Sequence, residues 1–340
     1  MRRSFNISLR LLFIPVLFLS VCPLFAQRRI TIRLASLVPE NTPWGAAINK
    51  MASDWARVTN GEVEVIVYHN GTAGDEPETL RKLRLNQIQA AVFTSLGLNS
   101  IMPEVMALSY PFLIRDNAEL DEVLSRIKPE LNEKIQQNGF TTLAWARAGW
   151  IKIFSKSPVH VPNDLRRLKL GTSSDELQMI QAFRLMGYQI VPISINDILV
   201  FLNGGMIDAI YQSPIYAAGT QIFGVAKNMS SINIAPFMGG ILMNNTAWRR
   251  IPERYRPQLM EICREMEATI EASIVNLETE AVSTMLRHGL ILNELSVQQE
   301  QEWYTDMGRY ENSLVGTGQI FNREYYLKIN DILTNYRRGR

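Results

Sequence analysis

The chain of 340 residues is poor in the groups that most often betray chemistry or a compartment, with only two cysteines and three histidines. Cys22 and Cys263 are too few for a disulfide framework, and Cys263, beside Ile262 and Met266, reads as a buried thiol. His69, His160 and His288 are far apart and lack the i,i+4 spacing of a zinc helix, so no metal site is expected. There is no Gly-x-Ser-x-Gly elbow and no phosphate loop, and Gly316-Thr317-Gly318 lacks the third glycine of a dinucleotide turn. No cofactor is therefore expected, and nothing positive argues for an enzyme. Charge of one sign is missing as well: 35 basic residues stand against 33 acidic ones, which leaves no nucleic-acid footprint. The apolar run Leu11 to Val21, interrupted by Pro15 and Ser20, is too short to span a bilayer.

That run follows Arg2, Arg3 and Arg10 and precedes the small residue Ala26, the pattern of a secretory signal. Residues 1–26 are read as a signal peptide and the chain as exported. Two processing routes stay open. Cleavage after Ala26 leaves Gln27 first, whereas cleavage before Cys22, within Leu19-Ser20-Val21-Cys22, leaves a lipidated cysteine as anchor. The remainder is longer than a typical single domain, so two lobes are expected.

What the chain has is an ordered alternation from Val161 to Pro214. Leu168 to Leu170 is a short strand broken at Gly171, and Thr172, Ser173 and Ser174 offer N-cap hydroxyls to a helix bearing Leu177, Ile180, Phe183 and Met186 on one face. Val191 to Ile193 is the next strand. Ser194 and Asn196 cap a helix with Ile198, Leu199 and Leu202 that ends at Gly204 and Gly205, and Ile207 to Ile210 is the third strand. Strands alternating with crossover helices predict a parallel sheet, which binds ligands beyond the carboxyl ends of its strands.

Upstream, Ile30 to Leu34 reads as a strand, Thr42 and Pro43 open a helix carrying Ile48, Met51 and Trp55, and Val63, Val65 and Val67 alternate as a strand. Asp75 and Glu76 are acids at a helix start, where the dipole favours them without any ligand. Thr141 to Arg147 is taken as the first crossing between lobes and Met229 to Ala235 as the return. Gly239 and Gly240, just after the return, permit close approach of backbone or ligand. From Pro257 to His288, Leu259, Ile262, Met266, Ile270, Ile274 and Leu277 hold a spacing of three or four, which predicts one helix about 48 Å long, enough to lie across both lobes.

Pro162, Asp164, Leu165, Leu168, Lys169 and Leu170, followed by Pro192, Leu202, Gly205, Ile207 and Asp208, resemble the middle of the DctP-type substrate-binding proteins of TRAP transporters. Met102-Pro103-Glu104 and the run Tyr110 to Asp116 are similar to the family's Pro-Glu pair and Leu-Pro-Phe-Leu-Phe-x-Asp run, so the resemblance reaches both lobes. It implies an α/β, two-lobed periplasmic-binding-protein fold of type II-like architecture with a long helix spanning both lobes. Lobe I is expected from 27–148 and 237–275, and lobe II from 149–236 and 276–340. The implied protein is periplasmic, captures a small molecule between the lobes and delivers it to TRAP-type membrane permease subunits.

The resemblance fails at one position that matters. Where the family places the arginine that clamps a substrate carboxylate, this chain has Gly171, and a second arginine of the family falls near Ile151. A guanidinium suits that task because its planar fork makes two charge-assisted hydrogen bonds. A neutral or largely hydrophobic, lipid-like ligand is therefore expected, with an organic acid held by another arginine such as Arg147 as the alternative. The expected ligand-binding residues are Trp44, Phe93, Ser95, Trp150, Gly171, Ser173, Ile195, Tyr211, Gln212, Phe237 and Met238. Each aromatic has an equally good place in a core. Two other classes stay open: a periplasmic enzyme, which would need a cluster of titratable groups in the cleft, and a scaffold or receptor that uses the same fold without transport, which would show a partner-binding face without a closed cavity.

Overall fold

The structure is a computed structural model that describes residues 29–174, 176–194, 197–316 and 319–339. The expected signal peptide, Cys22 and the ligand candidate Ile195 lie outside the described residues. The chain opens with β1 (Ile30–Ala35), α1 (Pro43–Val58), β2 (Val63–Tyr68), α2 (Glu76–Arg84), β3 (Ala90–Thr94) and α3 (Ser95–Asn99). A 3-10 segment (Pro103–Ser109) and α4 (Asn117–Gln137) lead to the long strand β4 (Phe140–Ser155). The second run is α5 (Pro162–Arg166), β5 (Lys169–Ser173), α6 (Leu177–Leu185), β6 (Gln189–Ile193), α7 (Ile198–Asn203), β7 (Ala209–Gln212) and α8 (Pro214–Gly219). Then come β8 (Asn228–Ser230), β9 (Ala235–Asn244), α9 (Asn245–Arg250), α10 (Arg256–Arg287), β10 (Ile291–Asn293), α11 (Val297–Gly308), α12 (Glu311–Leu314) and α13 (Arg323–Arg338).

The strands run in the order β2-β1-β3-β9-β4-β7-β5-β6, with β8 and β10 attached beside β4. One part of β4 pairs with β9, and its last residues pair with β7 and β8, so a single strand belongs to two sheets. Of three apolar clusters, the largest draws on both sheets and the other two follow that division. Ile48, Met51 and Trp55 of α1 pack with Leu34, Ile241 and Leu259, whereas Phe154, Ile210, Leu202 and Met285 form a separate cluster around β7. Helix α10 touches both, through Leu259, Ile262 and Met266 at one end and Met285 at the other. The expected two-lobed α/β fold with a long shared helix is observed. The segment after β10 is shared too: α13 packs on α4 and the 3-10 segment, and α11 packs on α5.

Three local expectations are corrected. Thr172 and Ser173 do not cap α6, because β5 continues through Gly171 to Ser173 in register with Val191 to Ile193 of β6. Glycine weakens a strand interior but does not end its ladder, which here continues to β6 and β7 on either side, and α6 instead starts after Glu176 with no side-chain cap. The crossing strand does not stop at Arg147. Gly149, at φ +89°, makes a bulge in β4, and pairing with β9 resumes at Trp150. The return is a short strand, a turn and a second strand, since β8 ends at Ser230 and β9 begins at Ala235.

Cys263 is buried, and burial pushes its thiol up to about 12, in keeping with an inert core thiol. At Gly239 the close neighbour is backbone: a Cβ there would lie 2.5 Å from the carbonyl oxygen of Phe93 on the adjacent strand β3. Gly239→Ala should therefore force β9 and β3 apart and lower stability by about 2 kcal/mol in urea unfolding. An alanine variant as stable as the parent would show that the sheet yields at this point.

Candidate functional site

Strand direction decides where a ligand can sit. Strands β1, β2 and β3 are mutually parallel, β3 and β4 are both antiparallel to β9, and so β1 to β3 run the same way as β4. Beyond the crossing, β7 is antiparallel to β4 and parallel to β5, which is parallel to β6. The first three strands thus point along β4 toward the second sheet, and the last three point back toward the first. Their carboxyl ends, where open α/β sheets bind ligands, face each other across the crossing. The opposed connections are 36–42 and 69–75 after β1 and β2, the β3–α3 junction, 174–176 and 194–197 after β5 and β6, and Ser213 after β7.

These connections hold Glu40, Asp75, Asp175, Glu176 and Asp197 and contain no lysine or arginine in sequence. Several of the acids serve helix starts. Asp75 accepts the amide of Glu78 at 2.8 Å as the N-cap of α2, as the sequence suggested. The next residue, Glu76, does more than favour its own helix: it accepts the Thr94 amide at 2.5 Å and the Thr94 hydroxyl at 2.9 Å, which ties α2 to the β3–α3 junction. Burial raises its carboxyl above the ordinary range, opposed by the bonds from Thr94.

The expected site residues fall into three groups. Ser173 and Gln212 end β5 and β7 at the opposed strand ends, and Gln212 Oε1 accepts the Ser213 amide at 2.9 Å. Tyr211 packs its ring on Phe183, 5.3 Å between centroids, and its hydroxyl donates to Glu176. Phe93, Ser95, Trp150, Phe237, Met238 and Arg147 gather at the crossing. There Ser95 Oγ donates to the Met238 carbonyl at 2.9 Å, Met238 pairs with Arg147, and the indole of Trp150 donates to Asn117 at 2.9 Å. Phe93, Trp150 and Met238 are buried, Phe237 is half-buried, and Trp44 stands apart at the start of α1, packed on the core of the first sheet. Gly171 lies inside β5, where a Cβ would meet Ile207 at 2.8 Å and Ile193 at 3.0 Å, so apolar side chains fill the space beside it.

Arg147 is already occupied. Its Nη2 lies 2.5 Å from Asp121 of α4, and its Nε lies 3.1 Å from Glu271 of α10 but off the axis of a hydrogen bond. His69, the first residue of the 69–75 connection, bonds Asn49 at 2.9 Å in a hollow between α1 and β2, and His288 bonds the Thr284 carbonyl at the end of α10. Among the described residues no group of His, Cys, Asp and Glu could hold a metal ion. Among those same residues no helix is long and apolar enough to cross a membrane.

Residues 34–314 match the pattern described as bacterial extracellular solute-binding protein, family 7. The chain belongs to that family. The DctP-type resemblance read from Tyr110 to Asp116 and from Pro162 to Asp208 is thereby borne out. A relative from Verminephrobacter eiseniae, called a solute-binding protein, is 25% identical over 268 residues, 78% of this chain and 79% of its own length. The C4-dicarboxylate-binding protein DctB of Bacillus subtilis is 24% identical over 302 residues, 88% of this chain and 85% of its own. Among solved structures, a TRAP periplasmic solute-binding protein from Chromohalobacter salexigens with bound D-glucuronate superposes with a TM-score of 0.77 at 19% identity. That match covers 91% of this chain and 100% of the other.

Two polar groups at the crossing of this family 7 chain escaped sequence reasoning. Lys152 Nζ donates to the Ser231 carbonyl at 2.6 Å and to Asn233 Oδ1 at 2.7 Å, and it holds the turn between β8 and β9 against β4. A lysine inside the apolar run Trp150 to Phe154 was the available signal. Glu278, which accepts the Trp150 amide at 3.2 Å, gave none, since an acid on a long helix reads as a solvated face. Burial pushes the Lys152 amine down to about 8, opposed by the charges of Glu278 and Glu300. In protein labelled with carbon-13 at the lysine ε position, one resonance should titrate near pH 8 and be missing from Lys152→Met. If every lysine titrates above 10, the burial argument fails.

Proposed function

We propose that this family 7 protein, exported by its leader into the periplasm, captures a small uncharged or largely apolar solute between the opposed strand ends and delivers it to a TRAP-type membrane permease. With the lobes divided at the crossings, 27–148 and 237–275 on one side and 149–236 and 276–340 on the other, contacts from both favour a closed state, so binding and closing are coupled. Recognition without covalent chemistry is the whole activity. Ser173, Gln212 and Ser95 supply polar contacts at the strand ends, with Trp44, Trp150, Tyr211, Phe237, Met238 and Phe93 shaping the apolar wall.

The observation that carries the ligand class is the charge of the connections at those strand ends. They bring Glu40, Asp75, Glu176 and Asp197 and no lysine or arginine, while Ile151 and Gly171 stand where relatives are expected to carry cations. An anionic solute entering such a site would lose its hydration without gaining a counter-charge. The alternative clamp, Arg147, would first have to leave Asp121 and Glu271.

A second reading is favoured by the relatives. DctB is named for C4-dicarboxylate binding, and the Chromohalobacter protein holds D-glucuronate, so an organic acid gripped by Arg147 is the competing ligand class. Native mass spectrometry of protein purified from its own cells, followed by organic extraction, separates the two. The proposed reading expects a neutral, extractable solute, no thermal shift on adding D-glucuronate, and unchanged solute retention in Arg147→Ala. A bound acid that is lost from Arg147→Ala would replace it with the second reading.

A further inference from the structure

Strand β4 loses register with β9 twice, between Thr142 and Ala144 and between Arg147 and Trp150. At or just after each shift a glutamate of α10 accepts a main-chain amide of β4, a group that needs a partner when it is taken out of water. Glu267 Oε2 takes the Trp145 amide at 2.9 Å, while its other oxygen lies 2.5 Å from Lys128 of α4. This first fixture stays on the α4 side, where α10 is also bedded in the first core through Leu259, Ile262 and Met266. The second sits where the chain changes sheets. Glu278 Oε1 takes the Trp150 amide at 3.2 Å, and its carboxylate lies over Gly149, where a Cβ would stand only 3.2 Å away. Beyond it, Met285 beds α10 in the second core.

The return crossing is tied to the same place. Lys152 stands two residues after Trp150 on β4, and its ammonium spends its hydrogen bonds on Ser231 and Asn233 in the turn that leads into β9. Glu278 acts on that ammonium through space. One carboxylate therefore meets three of the segments that pass between the lobes: α10 carries it, β4 donates to it, and the return turn is held by the cation it attracts.

We propose that Glu278 is a positioning residue for ligand capture, a latch that fixes the hinge angle at Gly149 and Trp150 without touching the solute. This rests on the reading that the lobes close around a ligand. A glycine at positive φ is a point about which a strand can bend cheaply, and an acceptor fixed to a rigid helix restricts the bend by holding the next amide. Removal of the acceptor leaves the Trp150 amide unpaired and Lys152 without its nearest attracting charge, so the ordered bulge gives way to a range of angles.

The test is the interlobe distance distribution from double electron–electron resonance, with spin labels at K50C on α1 and V200C on α7 in a C22S background. Both label positions are exposed, and the remaining Cys263 is buried. Full-length protein is measured as purified and after unfolding in guanidinium and refolding to strip bound solute. In the refolded state Glu278→Ala should roughly double the width of the distribution. Glu278→Gln, whose amide oxygen can still accept the Trp150 N–H but carries no charge toward Lys152, should broaden the distribution measurably though less than the alanine variant, and it serves if the alanine variant folds poorly. Glu280→Ala, which removes a charge from an exposed position on the same helix, should match the parent. Parent-like widths in both Glu278 variants, or equal broadening in Glu280→Ala, would overturn the latch. Failure of the closing reading looks different: the parent distance would be identical with and without solute.

Discussion

Strand β4 is the constraint on which the molecule depends. Because its sixteen residues belong to both sheets, the direction of every other strand is fixed relative to it. Three strands run with it on one side and three against it on the other, so two sets of carboxyl ends must face each other. No specific side chain is needed to create the cleft. Topology places it, and the residues at the strand ends then decide what it accepts.

The same continuity creates a difficulty at the crossing. A strand that changes sheets must twist and shed hydrogen bonds, and the bulge at Ala148 and Gly149 does both. The Trp150 amide beside it is satisfied from α10, which like β4 itself contributes residues to both of these apolar cores. Charged groups are costly to bury, and three of them nevertheless cluster here: Arg147, Lys152 and Glu278. Each binds another segment of the crossing, to α4 and α10, to the return turn and to the bulge respectively. The basic groups at the centre of the molecule are thus engaged by the protein itself.

Much of the fold was legible because apolar spacing reports local geometry. The alternation of strands and helices from Val161 to Pro214 and the long helix, expected from Pro257 to His288 and found at Arg256–Arg287, both came from periodicity alone. The errors share a cause. A glycine interrupts the side-chain pattern without ending the strand, so β5 was stopped at Gly171 and the crossing at Arg147, although β5 keeps its ladder and β4 resumes its own at Trp150. The candidate site was less legible. Gly171 drew notice as a missing arginine, but its packing against Ile207 and Ile193 shows only after β5, β6 and β7 are assembled. Glu278 and Lys152 act through partners more than seventy residues away in sequence, which no local pattern encodes.

The central claim is that the opposed strand ends hold a solute with no cation to grip it. A crystal structure of the protein with its co-purified solute tests this most directly. The account predicts electron density between the segments 36–42, 69–75, 174–176 and 194–197, with Arg147 still on Asp121 and no guanidinium or ammonium bonded to the solute. A carboxylate held two-point by Arg147, or by any other arginine swung into the cleft, would contradict it.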